Sequence, residues 1–280
     1  MRSRRLTAAL YLGVTAVAIV WLIPVITAIM ISIRPPTETR SGWWNLEPFT
    51  ITIQPYLDAL RDMPAGTIRT TFLITLGAVL LTTAGGVLAS YAFARLRFRG
   101  RTLLYFLLIT TMIVPIQLIL IPLLPWARQL GLLVGSWRPL LALILAHAAF
   151  GAGWAVFMLV TFFKQIPRDM IEAAHVDGAG HWEVFRRIVL PLAIPGIISF
   201  AIIDFIFVWN DLLLALTLLG TRGAVAPPIQ VALSNLQGQN LPRQDVVSAA
   251  AMMAILPPLL LFAALNRFYV RGMFAGGAKG

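Results

Sequence analysis

The sequence predicts an all-α membrane protein with six transmembrane helices. Of its 280 residues, 59% are hydrophobic and only 12% are charged, whereas about a quarter of the residues in a soluble domain are charged. The mean hydropathy is +0.85. The apolar residues are gathered in stretches long enough to cross ~30 Å of hydrocarbon as a helix. We place these stretches at residues 6–33, 68–94, 102–124, 138–163, 191–219 and 247–265.

The first stretch is predicted to remain as an uncleaved membrane helix. It follows Arg2, Arg4 and Arg5, as the core of a signal peptide would. Its apolar run is much longer than the core of a signal peptide, which has about 7–15 residues. Residues 1–67 are therefore expected to form a first transmembrane helix and an extracytoplasmic segment.

The basic residues are distributed as in a chain with both termini in the cytoplasm. Six spans and an internal N-terminus place segments 1–5, 95–101, 164–190 and 266–280 inside, and these hold 14 of the 22 Lys and Arg residues. Short cytoplasmic loops of membrane proteins are enriched in these residues. The net charge of +11 thus reflects topology, and we predict lipid contact but no nucleic-acid partner.

The extracytoplasmic segment 34–67 is the largest predicted soluble piece. It holds Trp43 and Trp44, and a short helix is predicted within 55–63, where Tyr56, Leu57, Leu60 and Met63 share a face. An interfacial helix with tryptophans at headgroup depth and a partner-binding surface both fit this pattern.

Two membrane stretches carry residues that shape helix packing. The second contains Ala84, Gly85 and Gly86, small residues that allow close contact between helices. The third contains Pro115, Pro122 and Pro125, each of which removes a backbone donor. We expect the third helix to be kinked and packed inside a bundle, where neighbours satisfy the freed carbonyls.

The sequence offers no set of residues for catalysis or for holding a cofactor. It has no cysteine and three histidines, so no metal site is predicted. A phosphate-binding loop is also absent, because Lys279 follows Ala278 rather than the glycine that this loop requires. The chain is therefore predicted to be neither an ATPase nor any other enzyme.

The segment 164–190 is predicted to form a bent pair of short helices beside the membrane. Pro167 suits the first turn of a helix over 168–176, and Asp177-Gly178 is a strong stop signal. Met170, Ala173, Ala174 and Asp177 fall on one side of that helix. A second short helix is predicted over 180–188.

The first of these helices has the features of a docking element. The small side chains of Ala173 and Ala174 allow one face of the helix to enter a groove in another protein. The carboxylate of Glu172 could pair with an arginine or lysine at the rim of that groove. Gly178 permits the bend without strain. An amphipathic surface helix without a partner is the alternative, and spacing alone leaves both open.

Polar residues at membrane depth mark a candidate substrate path. Asp204 lies well inside the fifth stretch, and Asp211 returns to nearly the same face. An ionisable group at this depth faces a cavity, a partner or the transport route by default. Asp204 is therefore either part of the path or an interhelical hydrogen-bonding residue, and Asn210-Asp211 is expected to fix packing near the outer end.

His147 and Trp154 share one face of the fourth stretch. An aromatic ring beside a hydrogen-bonding group suits a sugar, whose ring stacks while its hydroxyls bond. A buried histidine that is satisfied by its neighbours and a packing tryptophan would give the same pattern.

The chain resembles the smaller membrane subunit of binding-protein-dependent sugar ABC importers of the maltose type. The similarity covers essentially the whole sequence and rests on several motifs. These are Glu172-Ala173-Ala174 with Gly178 and Ile188-Val189-Leu190-Pro191, Phe93-Ala94-Arg95-Leu96-Arg97-Phe98-Arg99-Gly100, Ile166-Pro167, Val208-Trp209-Asn210-Asp211, and the ending Arg267-Phe268-Tyr269-Val270-Arg271-Gly272 with Gly277-Ala278-Lys279-Gly280.

The resemblance implies a type I ABC importer permease fold in the cytoplasmic membrane of a bacterium. Residues 68–265 would form the five-helix core with a cytoplasmic coupling loop at 164–190, and 266–280 a cytoplasmic tail. The residues that would couple the chain to the ATPase are Glu172, Ala173, Ala174, Asp177, Gly178, Arg186, Leu190 and Pro191. The tail residues that would contact the ATPase pair are Gly277, Ala278, Lys279 and Gly280. The residues that would line the substrate path are Asp204, Val208, Asn210, Asp211, His147 and Trp154.

The same resemblance implies the partners. They are a second homologous permease, two copies of an ABC ATPase that bind ATP and Mg²⁺, an extracytoplasmic sugar-binding protein, and the sugar itself. An ABC importer for an amino acid, a peptide or glycerol phosphate is the alternative. A proton-coupled secondary transporter is a further one, with Asp204 as its ion site.

Overall fold

The structure is a computed structural model that describes residues 2–220, 226–239 and 243–277. Every regular element in these ranges is helical. The helices are α1 (Arg2–Ser32), α2 (Pro36–Thr39), α3 (Gln54–Asp62), α4 (Thr67–Arg95), α5 (Arg101–Thr110), α6 (Ile116–Gln129), α7 (Arg138–Gln165), α8 (Arg168–Val176), α9 (His181–Val184), α10 (Leu190–Trp209), α11 (Leu213–Leu219), α12 (Ile229–Gln239) and α13 (Gln244–Gly277).

The all-α prediction is confirmed, and the number of spans is five or six. Five helical segments in the described ranges are each long and apolar enough to cross a membrane: Leu6–Ser32, Thr67–Arg95, Arg138–Gln165, His181–Trp209 and Gln244–Asn266. A sixth span results if the bent pair of α5 and α6 is counted as one.

The third predicted span is broken rather than only kinked. A 3₁₀ turn at Thr111–Ile113 follows α5, and the two helical parts are bent by 100°. Val114 takes extended backbone angles, which the ring of Pro115 favours because it disfavours the α conformation of the residue before it. Pro122 and Pro125 stay inside α6. Most side chains of α5 and α6 are exposed in the described structure, whereas Ile116, Leu120 and Leu123 pack against the core.

The fifth predicted span ends ten residues earlier than expected, at Trp209 instead of residue 219. Asp211 starts the new helix α11, since its carboxylate accepts hydrogen bonds from the amides of Leu214 (3.3 Å) and Ala215 (3.0 Å). Short polar side chains of this kind compete with the helical backbone and favour helix starts. Asp211 therefore lies beyond the end of α10, although it and Asp204 both lie beside His147.

The second short helix of the predicted elbow is not a separate element. α9 runs through a π-helical turn at Phe185–Val189 directly into α10, so His181–Trp209 is one continuous helix. The π turn immediately precedes Pro191, which has no amide hydrogen. Such local widening accommodates backbone groups that a proline leaves unpaired.

The chain divides into two compact units, of which the first comprises Met1–Ala65 and Ala232–Pro257. Its core contains Ala59 and Met63 together with small and aliphatic residues of α12 and α13. The short helix predicted within 55–63 is confirmed as α3, although Leu57 and Leu60 are exposed. Arg34 is fully buried and donates hydrogen bonds to Glu38 and to the carbonyls of Trp43 and Pro48.

The second unit comprises Gly66–Val231 and Pro258–Gly280, and its core is formed where α4 packs against α7 and α10. Gly86 is the point of closest approach, because a β-carbon there would lie 2.4 Å from Cβ of Ala155. The prediction that small residues of the second span allow close contact is confirmed at this position. The predicted tail over 266–280 is helical as far as Gly277.

Candidate functional site

The helix predicted as a docking element is present with the expected bounds. α8 starts after Pro167 and ends at Val176, where the left-handed conformation of Gly178 (φ +87°) reverses the chain. The amide of Gly178 donates to the carbonyl of His175 (3.1 Å), and the amide of Ala179 donates to that of Ala174 (2.9 Å). This pattern is a Schellman motif, which satisfies the last carbonyls of the helix.

One side of α8 is anchored and the other is free. Ile171 and Ala174 pack against a buried cluster that includes Val184 and Phe185. Glu172, Ala173, Asp177 and Gly178 are exposed, and Val176 is 87% exposed. The free face is thus small and apolar with carboxylates at its edge. Ala174 was expected on that face, but it packs inward against the buried cluster.

The end of α4 holds both arms of this elbow. The Arg95 guanidinium donates through Nη2 to the carbonyls of Phe163 and Ile166, at the end of α7. The Tyr91 hydroxyl donates to the carbonyl of His181 (3.2 Å), and its ring packs against that of Phe185 at 4.8 Å between centroids. These contacts fix the end of α7, from which α8 starts, and the start of α9, where the chain returns to the helical core.

The remaining predicted coupling residues have different surroundings. Arg186 and Pro191 are exposed beyond the elbow, whereas Leu190 packs against the buried cluster beneath α8. Leu190 is therefore placed to support the elbow from within. Gly277 ends the described chain, and Ala278, Lys279 and Gly280 lie outside the described residues.

A basic recess, which the sequence reasoning missed, adjoins α8. It has a volume of about 230 Å³ and lies where the end of α4, the start of α5 and α8 meet. Its polar lining residues are Tyr91, Arg95, Arg97, Arg101, Arg168, Glu172, His175 and His181. The run of arginines over 95–101 was interpreted as a topology signal and as part of a family motif, but not as part of a site, since its approach to α8 depends on tertiary structure.

Four of the predicted path residues meet in one pocket among the membrane helices. The pocket has a volume of about 290 Å³ between α7 and α10 and is mostly apolar. It is lined by His147, Phe150, Gly151, Trp154, Met158, Phe200, Ile203, Asp204, Phe207 and Val208. Phe150 and Phe207, whose rings stack at 6.4 Å between centroids, were not predicted.

Asp204 is the polar centre of this pocket. Its side chain bonds to Thr82 of α4, but its Oδ2 atom is buried without a hydrogen-bond partner in the described structure. Gly151 makes room for the carboxylate, because a β-carbon there would lie 3.3 Å from Oδ1 of Asp204 and 2.8 Å from a methyl group of Thr82. A buried acceptor without a partner is costly, so the site is prepared for a donor from elsewhere.

Asn210 and Asp211 do not line this pocket. They line a second, larger recess of about 550 Å³ together with apolar side chains of α10. The carboxylate of Asp211 lies 3.5 Å from Nε2 of His147, and Asn210 donates to the carbonyl of Ile206 at 2.8 Å. Their role in fixing packing stays a prediction. His147 lines the first pocket and contacts Asp211, which lines the second.

Comparison with known proteins places residues 82–275 in one protein family. Its model is described as the binding-protein-dependent transport system inner membrane component. The match covers more than half of the chain and includes both α8 and the intramembrane pocket.

Relatives of similar length support the same assignment. An osmoprotective compounds uptake permease protein of Synechocystis sp. is 36% identical, over 96% of this chain and 91% of that protein. A trehalose transport system permease protein of Mycobacterium tuberculosis is 34% identical, over 92% of this chain and 93% of that protein. Both are permease proteins, in agreement with the prediction of a transport subunit.

The fold also has a counterpart among solved structures. A chain of a bacterial alginate ABC transporter, crystallised in complex with an alginate pentasaccharide-bound periplasmic protein, has a TM-score of 0.63. The two chains are 18% identical, and the match covers 94% of each. The chain is thus a multi-pass membrane protein that belongs to the binding-protein-dependent transport system inner membrane component family.

Proposed function

We propose that this chain is the permease subunit of an ATP-driven carbohydrate importer. In the complete transporter it pairs with a second permease, two copies of an ATPase and an extracytoplasmic sugar-binding protein. The observation that carries the proposal is the exposed face of α8 on an elbow anchored at both ends, within a chain of this family. The trehalose permease among its relatives and the saccharide-bound partner of its structural counterpart favour a carbohydrate as cargo.

The free face of α8 is the proposed contact with the ATPase. Ala173 and Val176 are exposed and small enough to enter a groove, and Glu172 can meet a basic side chain at its rim. The opposite side of α8 rests on the continuous helix that leads into α10. Movement of the ATPase would therefore displace α10, which lines the intramembrane pocket.

Cysteine crosslinking tests this contact directly, because the natural chain contains no cysteine. In the assembled transporter, Ala173→Cys and Val176→Cys should each crosslink to a cysteine in the ATPase surface groove with a short bifunctional maleimide. The matched control is Leu145→Cys, a 42% exposed position on α7. Failure of both α8 variants to crosslink, or an equal yield from Leu145→Cys, would contradict the docking assignment.

We further propose that the pocket around Asp204 contacts the sugar during passage. Sugar hydroxyls can donate to the unpartnered Oδ2 atom, while Trp154, Phe150 and Phe207 offer aromatic surfaces to the sugar ring. His147 lies on the same wall and can exchange hydrogen bonds with the cargo. The alternative is that Asp204 serves only as an interhelical hydrogen-bonding residue through Thr82.

Uptake kinetics separate these two roles of Asp204. Asp204→Leu removes the acceptor that contacts the cargo, so we expect KM for transport to rise at least tenfold. A tenfold rise corresponds to the loss of about 1.4 kcal/mol of binding free energy. Asp204→Asn keeps the shape and one acceptor and should lose less. A purely structural residue would instead lower the melting temperature and the amount of inserted protein while leaving KM unchanged.

Trp154→Ala and Trp126→Ala form a matched pair for the aromatic wall. Both tryptophans are substantially exposed, at 49% and 64%, but only Trp154 lines the pocket. We expect Trp154→Ala alone to raise KM. Equal effects of the two substitutions would argue against sugar contact at this pocket.

A further inference from the structure

The basic recess beside α8 has an imbalance of charge that the transport function does not explain. Four arginines line it against a single carboxylate, Glu172, which leaves three positive charges uncompensated with the histidines neutral. In the described ranges none of these arginines forms an ion pair, although ion pairs occur elsewhere in the same structure. Arg168 also lies close enough to Arg95 for the two charges to repel each other.

Two of the arginines are held in fixed positions by the protein itself. Arg95 is tied through Nη2 to the carbonyls of Phe163 and Ile166, and Arg101 donates through Nη1 to the carbonyl of Leu96 (3.2 Å). The Nε atom of Arg95 is buried and lacks a hydrogen-bond partner in the described structure. Guanidinium donors that are already oriented and not fully used are suited to an oxyanion.

The position of the recess narrows the class of ligand. It lies at the ends of two membrane helices, α4 and α5, and the next turn of α5 presents Leu103 and Leu104 at 64% and 47% exposure. A volume of about 230 Å³ has room for a small polar group such as a phosphate. A phosphate group, with several acceptor oxygens and a negative charge, matches both the donors and the space.

We propose that this recess binds a phosphate group, supplied by the headgroup of an anionic phospholipid or by free inorganic phosphate. The bound phosphate bridges arginines from α4, α5 and α8, and so ties the helix with the exposed face to the core beneath it. Its occupation relieves the repulsion between Arg95 and Arg168 and stabilises α8 in the position seen here. This site shares Glu172 with the docking face of α8 and has no residue in common with the intramembrane pocket.

The test compares three variants that each remove one positive charge. Arg97→Gln and Arg168→Gln change exposed arginines of the recess, and Arg99→Gln changes an exposed arginine of the same loop that does not line it. Arg95 is left intact, because it also holds the end of α7. The assembled transporter is purified from membranes, and its bound lipids are measured by native mass spectrometry in the presence of phosphatidylglycerol and phosphatidylcholine.

We expect the wild type and Arg99→Gln to bind phosphatidylglycerol in preference to phosphatidylcholine. In the two recess variants, the ratio of bound phosphatidylglycerol to bound phosphatidylcholine should fall at least tenfold. In a second arm, inorganic phosphate is added to delipidated transporter and its binding is measured by equilibrium dialysis. If inorganic phosphate binds only when Arg97 and Arg168 are present, and phosphatidylglycerol is not retained, the proposal is supported and the ligand is free phosphate rather than a lipid headgroup.

The proposal is overturned if neither ligand binds, or if Arg99→Gln weakens binding as much as the recess variants do. The second outcome would mean that the arginines act as general surface charge, as expected for a cytoplasmic loop. Melting temperatures of the three variants identify any loss of binding that follows from unfolding. A variant with a lowered melting temperature is replaced by its Lys counterpart, Arg97→Lys or Arg168→Lys, which keeps the charge and should restore binding.

Discussion

Gly86 shows how a single residue sets the spacing of the helical core. A β-carbon at this position would meet Cβ of Ala155 at 2.4 Å, well inside van der Waals contact, and would also approach the backbone of α7. Gly85, the preceding residue of the same helix, has open space where its β-carbon would be. The two neighbouring glycines therefore differ in packing while sharing helical backbone and membrane depth.

We predict that Gly86→Ala destabilises the protein and Gly85→Ala does not. Overpacking at Ala155 should cost about 1–3 kcal/mol, because α4 and α7 must move apart. Replacing Gly85 removes only the helix penalty of glycine and should be neutral or stabilising by about 0.5–1 kcal/mol. The melting temperatures of the purified variants check this, and an equal shift for both would contradict the close approach.

Asp204 is the residue whose position beside a cavity was foreseen most directly, because an ionisable group at membrane depth stands out in any sequence. Its neighbours Thr82 and Gly151 could not be foreseen in the same way. They belong to α4 and α7, and their approach to α10 depends on how three distant helices pack. The end of α10 before Asp211 was not foreseen, since the competition of its carboxylate with the helical backbone was overlooked.

At the scale of elements, α8 was predicted residue for residue because its signals are local. Pro167 and Asp177-Gly178 mark its two ends through backbone conformation alone. The break between α5 and α6 was only partly foreseen, as a kink, because the sequence contains three prolines and does not tell which of them breaks the helix. The continuity of α9 with α10 was missed, since a π turn has no sequence signature of its own.

The turn after α8 yields a prediction with its own control. Gly178 has φ of +87°, so Gly178→Ala forces a side chain into left-handed backbone and should cost about 1–2 kcal/mol locally. Gly180 has φ of −72° and open space, so Gly180→Ala should be tolerated. Hydrogen exchange of the α8 amides reports the difference: protection should fall for Gly178→Ala only. Unchanged exchange in that variant would show that the turn does not hold α8.

At the scale of the whole molecule, the energy source separates the proposed importer from a secondary transporter. The chain carries no phosphate-binding loop for ATP in its sequence, and Asp204 is its evident candidate for proton coupling. A buried carboxylate is compatible with both the importer and the proton-driven alternative, and the two differ in the energy source that uptake requires.

We predict that uptake into proteoliposomes requires ATP and is insensitive to a protonophore. ATP hydrolysis by the partner subunits should drive the cycle, and Asp204 should act on the cargo rather than on protons. Asp204→Asn should therefore change KM without creating or removing protonophore sensitivity. Uptake that continues without ATP and collapses when the proton gradient is dissipated would favour the secondary transporter.

The unbroken run from His181 to Trp209 has a mechanical consequence. Asp204 lies 23 residues, or ~35 Å at 1.5 Å per residue, from His181, whose carbonyl accepts the hydrogen bond from Tyr91. A rod of this kind transmits torque: a twist applied at its first turn rotates the carboxylate about the same axis. Each residue inserted into this helix would rotate Asp204 by ~100° about the helix axis, so insertions of three, four or seven residues would bring it back toward its original direction.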